Sequence, residues 1–159
     1  MPGDASAILI NTTTLDSGTD GNGSGTDPTV NPGAVLNLEE EATVGITAFY
    51  SVSDTGGEPG DADTLAVIVQ CAPDGTNYGN LFTFRSVLGS ELPDDLAAGD
   101  KTLRLACVVK LPRSTVAGTR TVPVRLNTTA SDTSNWGLYS DVRTINDIRS
   151  EWLANAVEA

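Results

Sequence analysis

The sequence predicts an all-β domain, a two-sheet sandwich that ends in one short amphipathic helix. Three observations carry that expectation. Apolar and polar residues alternate in short runs, the period of a half-buried strand. The runs are separated by turn residues, with 16 Gly and 8 Pro in 159 residues, as in domains built from many short strands. Only beyond residue 144 do apolar residues recur at helical spacing. A chain of this length suits one domain, 1–159, able to bury its own core.

Taken in order, residues 7–11, AILIN, read as a short buried strand. Residues 12–34 hold almost no apolar side chains and cannot bury themselves. They are expected to form a mobile loop or an arm that orders against a partner, since long structureless connections are functional or disordered. Strands follow at 35–38 and 43–52, joined by a solvated turn at Glu39, Glu40 and Glu41. In the second, Val44, Ile46, Ala48, Tyr50 and Val52 share a face.

After an acidic loop at 53–63 comes 64–71, TLAVIVQC, with Leu65, Val67, Val69 and Cys71 on one face. Ile68 makes the opposite face partly apolar, and β-branched residues at this density fit a largely buried strand. Pro73, Asp74 and Gly75 supply turn chemistry. A strand at 81–88 would put Phe82, Phe84 and Leu88 inward and Thr83 and Arg85 outward. Residues 89–100 connect, with Leu92 and Leu96 as anchors. At 102–110, Leu103, Leu105, Cys107 and Val109 point in, and Arg104, Ala106 and Lys110 point out. Residues 112–118 turn the chain.

Val122, Val124 and Leu126 face inward in the next strand. Pro123 has no N–H for a ladder, which predicts an edge strand or a bulge there. The stretch 64–82 has a counterpart at 121–139: strand, polar turn, then Asp-x-x-Asn-aromatic-Gly. Asp74, Asn77, Tyr78 and Gly79 match Asp132, Asn135, Trp136 and Gly137. Two related hairpins, one in each sheet, are expected; chance is the alternative, because turn residues come from a small menu. Ile145, Ile148, Trp152, Leu153, Ala156 and Val157 then give a helix over 145–157, with Thr144 as N-cap.

The net charge is −12 and unevenly placed. Residues 1–84 hold twelve Asp and Glu and no Lys or Arg, whereas 85–159 hold nine of each sign. Such a chain repels phosphate, which argues against nucleic-acid partners and against an anionic membrane surface. The start MPGDASAILIN has neither a basic leader nor a long apolar run, so synthesis in the cytoplasm is expected. The Asn-x-Ser/Thr triplets at Asn11, Asn22 and Asn127 are then idle. Cys71 and Cys107 fall on apolar strand faces, where free Cys packs as a small hydrophobe. A disulfide would need Cα atoms within about 7 Å, and that separation is not a sequence property.

Catalytic constellations are scarce. The absence of histidine removes Ser-His-Asp and Cys-His chemistry and most zinc sites. The stretch Asp20-Gly-Asn22-Gly-Ser24 resembles the front of a calcium loop, but the twelfth position is Asn31 rather than a bidentate Glu; a flexible polar segment is the plainer reading. Asp94-Asp95 and Glu39–Glu41 offer paired carboxylates of the kind glycosidases use, yet adjacent loop acids read as solvated charge. Tyr78, Trp136 and Tyr139 suit either a sugar-stacking platform or core and interface packing. No catalytic residue, metal or cofactor is expected.

Residues 95–127, DLAAGDKTLRLACVVKLPRSTVAGTRTVPVRLN, run L-A-A-G, strand, L-P, turn, and a strand ending V-R-L-N. With the preceding TLAVIVQCAPDGTNY, this resembles the cement, or decoration, proteins of tailed-phage capsids over residues 64–128. The resemblance implies a jelly-roll-like antiparallel β-sandwich, assembling as a homotrimer outside the major capsid lattice, with no catalytic residues. The expected function is a non-enzymatic virion protein on the capsid exterior that binds the major capsid protein and stabilises the shell. The alternative is a carbohydrate-binding or adhesion sandwich of a phage tail or fibre. Interface candidates are the outward arginines Arg85, Arg104, Arg113 and Arg125, poised for carboxylates of a neighbour's acidic half. Trp136 joins them, as do Ile148 and Trp152 on the helix stripe. A sandwich closes its core between its own sheets, so that stripe needs an outer groove or another chain.

Overall fold

A computed structural model of the chain describes residues 8–12, 35–53, 58–92, 101–130 and 136–143. Among these residues nine strands form: β1 (Ile8–Thr12), β2 (Leu36–Glu39), β3 (Thr43–Val52), β4 (Thr64–Cys71), β5 (Gly79–Thr83), β6 (Val87–Leu88), β7 (Lys101–Lys110), β8 (Thr121–Ala130) and β9 (Trp136–Arg143). A 3-10 turn lies at Gly89–Glu91, and no α-helix occurs among the described residues. The expected helix 145–157, with Ile148 and Trp152, lies outside the described residues, as does the expected arm 12–34 except for Thr12, which ends β1.

The strands make two antiparallel sheets, one ordered β1-β9-β3-β7 and the other β2-β8-β4-β5, with β6 also paired to β4. The pairing is nested: β1 with β9, β2 with β8, β3 with β7, and β4 with β5. The chain is therefore one long ribbon doubled back at the β4–β5 turn, its successive pairs alternating between the sheets. Pairing of β3 with β9 and of β4 with β8 completes each sheet.

The all-β expectation holds because the alternation dictates it. In β4 the burial alternates strictly, with Leu65, Val67, Val69 and Cys71 buried. Val122, Val124 and Leu126 of β8 extend that layer, and Ile46, Ala48, Tyr50 and Val52 of β3 with Trp136 and Leu138 of β9 supply the facing one. Each large side chain fully buried in this way stabilises the fold by about 1.5–3 kcal/mol. Cys71 and Cys107 are both buried and free, one in each sheet. Burial pushes the Cys107 thiol up to about 11 and raises that of Cys71 as well.

Three expectations need correction. The run 81–88 is not one strand. Thr83 faces Ile68 and Val87 faces Leu65, so the second strand carries one extra residue between those points. A one-residue insertion flips the alternation, which buries Val87 and leaves Leu88 41% exposed. Next, 64–82 is a hairpin, but 121–139 is not: β8 and β9 belong to different sheets, so the chain crosses between sheets there. Finally, β8 is an interior strand flanked by β2 and β4. Pro123 is tolerated because its carbonyl accepts from Ala72 N–H at 3.1 Å, one residue past the end of β4. Its nitrogen faces the same way, beyond the β4 ladder, where no N–H is required.

Candidate interaction surface

The four arginines proposed from sequence have different fates. Arg85 pairs with Glu91 at 2.9 Å. Glu91 in turn accepts the Leu88 N–H at 2.8 Å, and that bond, followed by Arg85, holds its carboxyl below the usual range. Arg125 lies 3.5 Å from the centroid of the Tyr78 ring, and its Nε donates to Gln70 Oε1 at 3.1 Å. Gln70 Nε2 continues the row to Asn80 Oδ1 at 3.0 Å, because Arg125 and Asn80 both oppose Gln70 across the sheet. Arg104 sits 5.8 Å from the Phe49 centroid. Arg113 is exposed, and its guanidinium makes no ion pair or hydrogen bond among the described residues.

Arg113 belongs to the β7–β8 connection, residues 111–120, whose tip is unusually well held for an exposed loop. Ser114 N–H donates to Glu40 Oε2 at 2.7 Å. Thr115 donates to Pro73 O through both its N–H at 3.0 Å and its hydroxyl at 3.3 Å. Val116 N–H donates to Ser114 Oγ at 3.2 Å, and Thr119 N–H to Val116 O at 3.1 Å. Glu40 N–H donates to Arg120 O at 2.9 Å and Glu41 N–H to Pro112 O at 3.3 Å, tying the loop to the β2–β3 turn. Gly118 adopts φ +77°, a conformation that costs little only without a Cβ. The loop and Glu40 line a concavity of about 270 Å³. Arg113 and Arg120 flank it, and Val116, 39% exposed, stands between them.

The β4–β5 turn that supports this loop is fixed by Asp74. Its carboxylate accepts the N–H groups of Asn77 at 2.7 Å and Thr76 at 2.8 Å, and the Asn77 side-chain amide. Those bonds, Asn77 first, hold its carboxyl below the usual range.

A second polar cluster lies on the outer face of the first sheet. Asp141 is fully buried; it accepts from Thr47 Oγ1, Tyr139 OH at 3.1 Å and Arg143 Nε at 3.1 Å. Burial, followed by the Asp141 charge, raises the Tyr139 hydroxyl pKa. Trp136 is 0% exposed in the core, Tyr78 stands in the β4–β5 turn against Arg125 of the second sheet, and Tyr139 is on the outer face of the first. The three aromatics therefore form no common platform. No group of three or more His, Cys, Asp or Glu among the described residues is placed to hold a metal ion.

The structure thus brings Arg113 together with Arg120 and Val116, two residues the sequence reading did not select. The available signal was two arginines bracketing a short polar turn with one glycine, RSTVAGTR. Asp141 was also missed, because an acid in a β-strand carries no mark of burial. No protein-family model matches the chain, and no curated protein or solved structure matches it either.

Proposed function

We propose that the protein is a non-enzymatic virion protein, a decoration protein that binds the outside of the major capsid lattice and stabilises it. The observation that carries this reading is the strand order. A doubled-back ribbon with pairs β1·β9, β2·β8, β3·β7 and β4·β5 wound across two sheets supports reading the sandwich as a jelly roll, a double-sheet fold used by viral capsid domains. The held loop at 111–120 supports it further. A pre-ordered surface with an apolar centre and an arginine rim binds a protein partner without a large ordering cost. The −12 charge suits a position away from packaged DNA.

A second reading keeps the same fold. Jelly rolls also serve as lectin domains, and the row Tyr78, Arg125, Gln70 and Asn80 sets planar polar groups on one sheet face. The test is co-sedimentation of the purified protein with capsids that lack it. Saturable binding at a fixed ratio to the major capsid protein is expected. Absence of binding, with glycan binding that Arg125→Ala abolishes, would replace the first reading with the second.

A further inference from the structure

The nested pairing gives the sandwich two chemically different ends. At one end the chain leaves β1 at Thr12, β3 at Val52, β5 at Thr83 and β8 at Ala130. The described residues of the connections there, 58–63 and 84–92, carry four acids, Glu58, Asp61, Asp63 and Glu91, and one base, Arg85. At the other end lie 40–42, 72–78 and 111–120, with three acids and two bases, Arg113 and Arg120. Among the described residues, the first end is therefore the more acidic of the two.

Each end also has a firmly fixed turn whose exposed charges make no ion pair among the described residues. At the acidic end, Gly60 N–H donates to Asp63 Oδ2 at 2.8 Å and Asp63 N–H to Gly60 O at 2.9 Å. Gly89 N–H donates to Asp63 O at 2.8 Å, and Ser90 N–H to Asp61 O at 3.3 Å. Glu58 and Asp61 are exposed on this turn, and neither carboxylate makes an ion pair among the described residues. Arg85, the base of this end, is already taken by Glu91. At the opposite end Arg113 and Arg120 flank the concavity around Val116. Glu40, the acid lining it, is committed to Ser114 N–H. The eight residues of β4 separate the two turns by roughly 26 Å, so the two cannot meet within one chain.

We propose that the concavity at 113–120 receives the 58–61 turn of a second copy, so that copies join head to tail. Arg113 and Arg120 meet Glu58 and Asp61 of the neighbour, and Val116 packs at the centre of the contact. Arginine is suited to this because its planar fork takes a carboxylate in two parallel hydrogen bonds. The two surfaces differ, so the contact is heterologous; closure into a ring or continuation as a chain is set by the rotation it imposes. This deepens the assembly part of the proposed function and gives it named residues.

The experiment is sedimentation velocity of the full chain over a concentration series, at low and at 0.5 M salt. The wild type is expected to self-associate, less at high salt because exposed ion pairs are screened. R113E/R120E and E58R/D61R should each weaken association at least about tenfold, since like charges then face each other. The quadruple exchange R113E/R120E/E58R/D61R should restore it. Thermal melts check that all variants are folded; the four side chains are exposed, so melting should not change. A monomeric wild type, association unaffected by the double variants, or a folded quadruple variant that stays monomeric would each overturn the proposal. Capsid binding by the wild type is read separately. A monomer that still binds capsids overturns this contact alone, and an associating protein that ignores capsids overturns the decoration reading alone.

Discussion

Replacing Asp141 is the sharpest test of how the first sheet is held together. Its carboxylate is fully buried between central strands β3 and β9, where Thr47, Tyr139 and Arg143 all donate to it. The Arg143 side chain is itself only 13% exposed. Removing one partner of a buried ion pair costs about 3–5 kcal/mol, chiefly because the other charge is stranded. Arg143 keeps a contact with the Phe49 ring at 5.8 Å and is 13% exposed, which places Asp141→Asn just below that range, about 2–3 kcal/mol. Asp141→Ala also deprives the Thr47 hydroxyl, itself fully buried, of its acceptor, adding about 1–3 kcal/mol. At about 2–4 °C per kcal/mol for a domain of this size, Asp141→Asn should lower Tm by about 4–12 °C. Urea denaturation with a double-mutant cycle against Arg143→Met isolates the pair, and a coupling of at least about 1 kcal/mol is expected. If Asp141→Asn melts within about 0.5 kcal/mol of wild type, as a surface substitution does, the network is not structural and the reasoning fails.

Three further outcomes are expected. A Cβ at Gly89 would stand 2.1 Å from the Gly60 carbonyl oxygen; Gly89→Ala should therefore cost about 1–3 kcal/mol in denaturant melts and raise proteolytic cleavage near 58–63. The carboxyls of Asp74 and Glu91 are held below their ordinary values. They stabilise the fold fully above the unfolded-state carboxylate pKa, about 4, and lose that effect as pH falls through the lower folded values; Asp74→Asn should flatten the acid side of a stability-against-pH curve. With the Cys107 thiol pushed up to about 11 and buried, both cysteines should react with a thiol reagent only as fast as the protein opens, and urea should release both thiols together.

The strands were most legible where alternation is uninterrupted. The limits expected for β3 and β4 coincide with those observed: burial alternates strictly in β4, and β3 sends Ile46, Ala48, Tyr50 and Val52 into the core. Legibility failed at 81–88 for a reason that residue types do not encode: one extra residue opposite β4 reverses which of Val87 and Leu88 is buried. Pro123 misled because its cost depends on which neighbour its nitrogen faces. The match between 74–79 and 132–137 misled because turn residues do not reveal whether the next strand stays in the same sheet. The site was only partly readable. Arg85 and Arg125 have ordinary outward positions, but their partners come from the Leu88–Glu91 turn and from cross-strand register. Arg113 and Arg120 remain available because they sit in a loop whose hydrogen bonds are made almost entirely by backbone and hydroxyl groups.

The central claim is a place on the outside of a capsid, and counting copies there tests it most directly. On the proposed reading, virions purified from cells that make the protein would be quantified by mass spectrometry, before and after a wash that strips exterior proteins. The account expects the protein at a fixed ratio to the major capsid protein, removed by the wash without loss of packaged DNA, and leaving shells that break at lower temperature. Its absence from washed and unwashed particles alike, or a handful of copies confined to the tail, would contradict it.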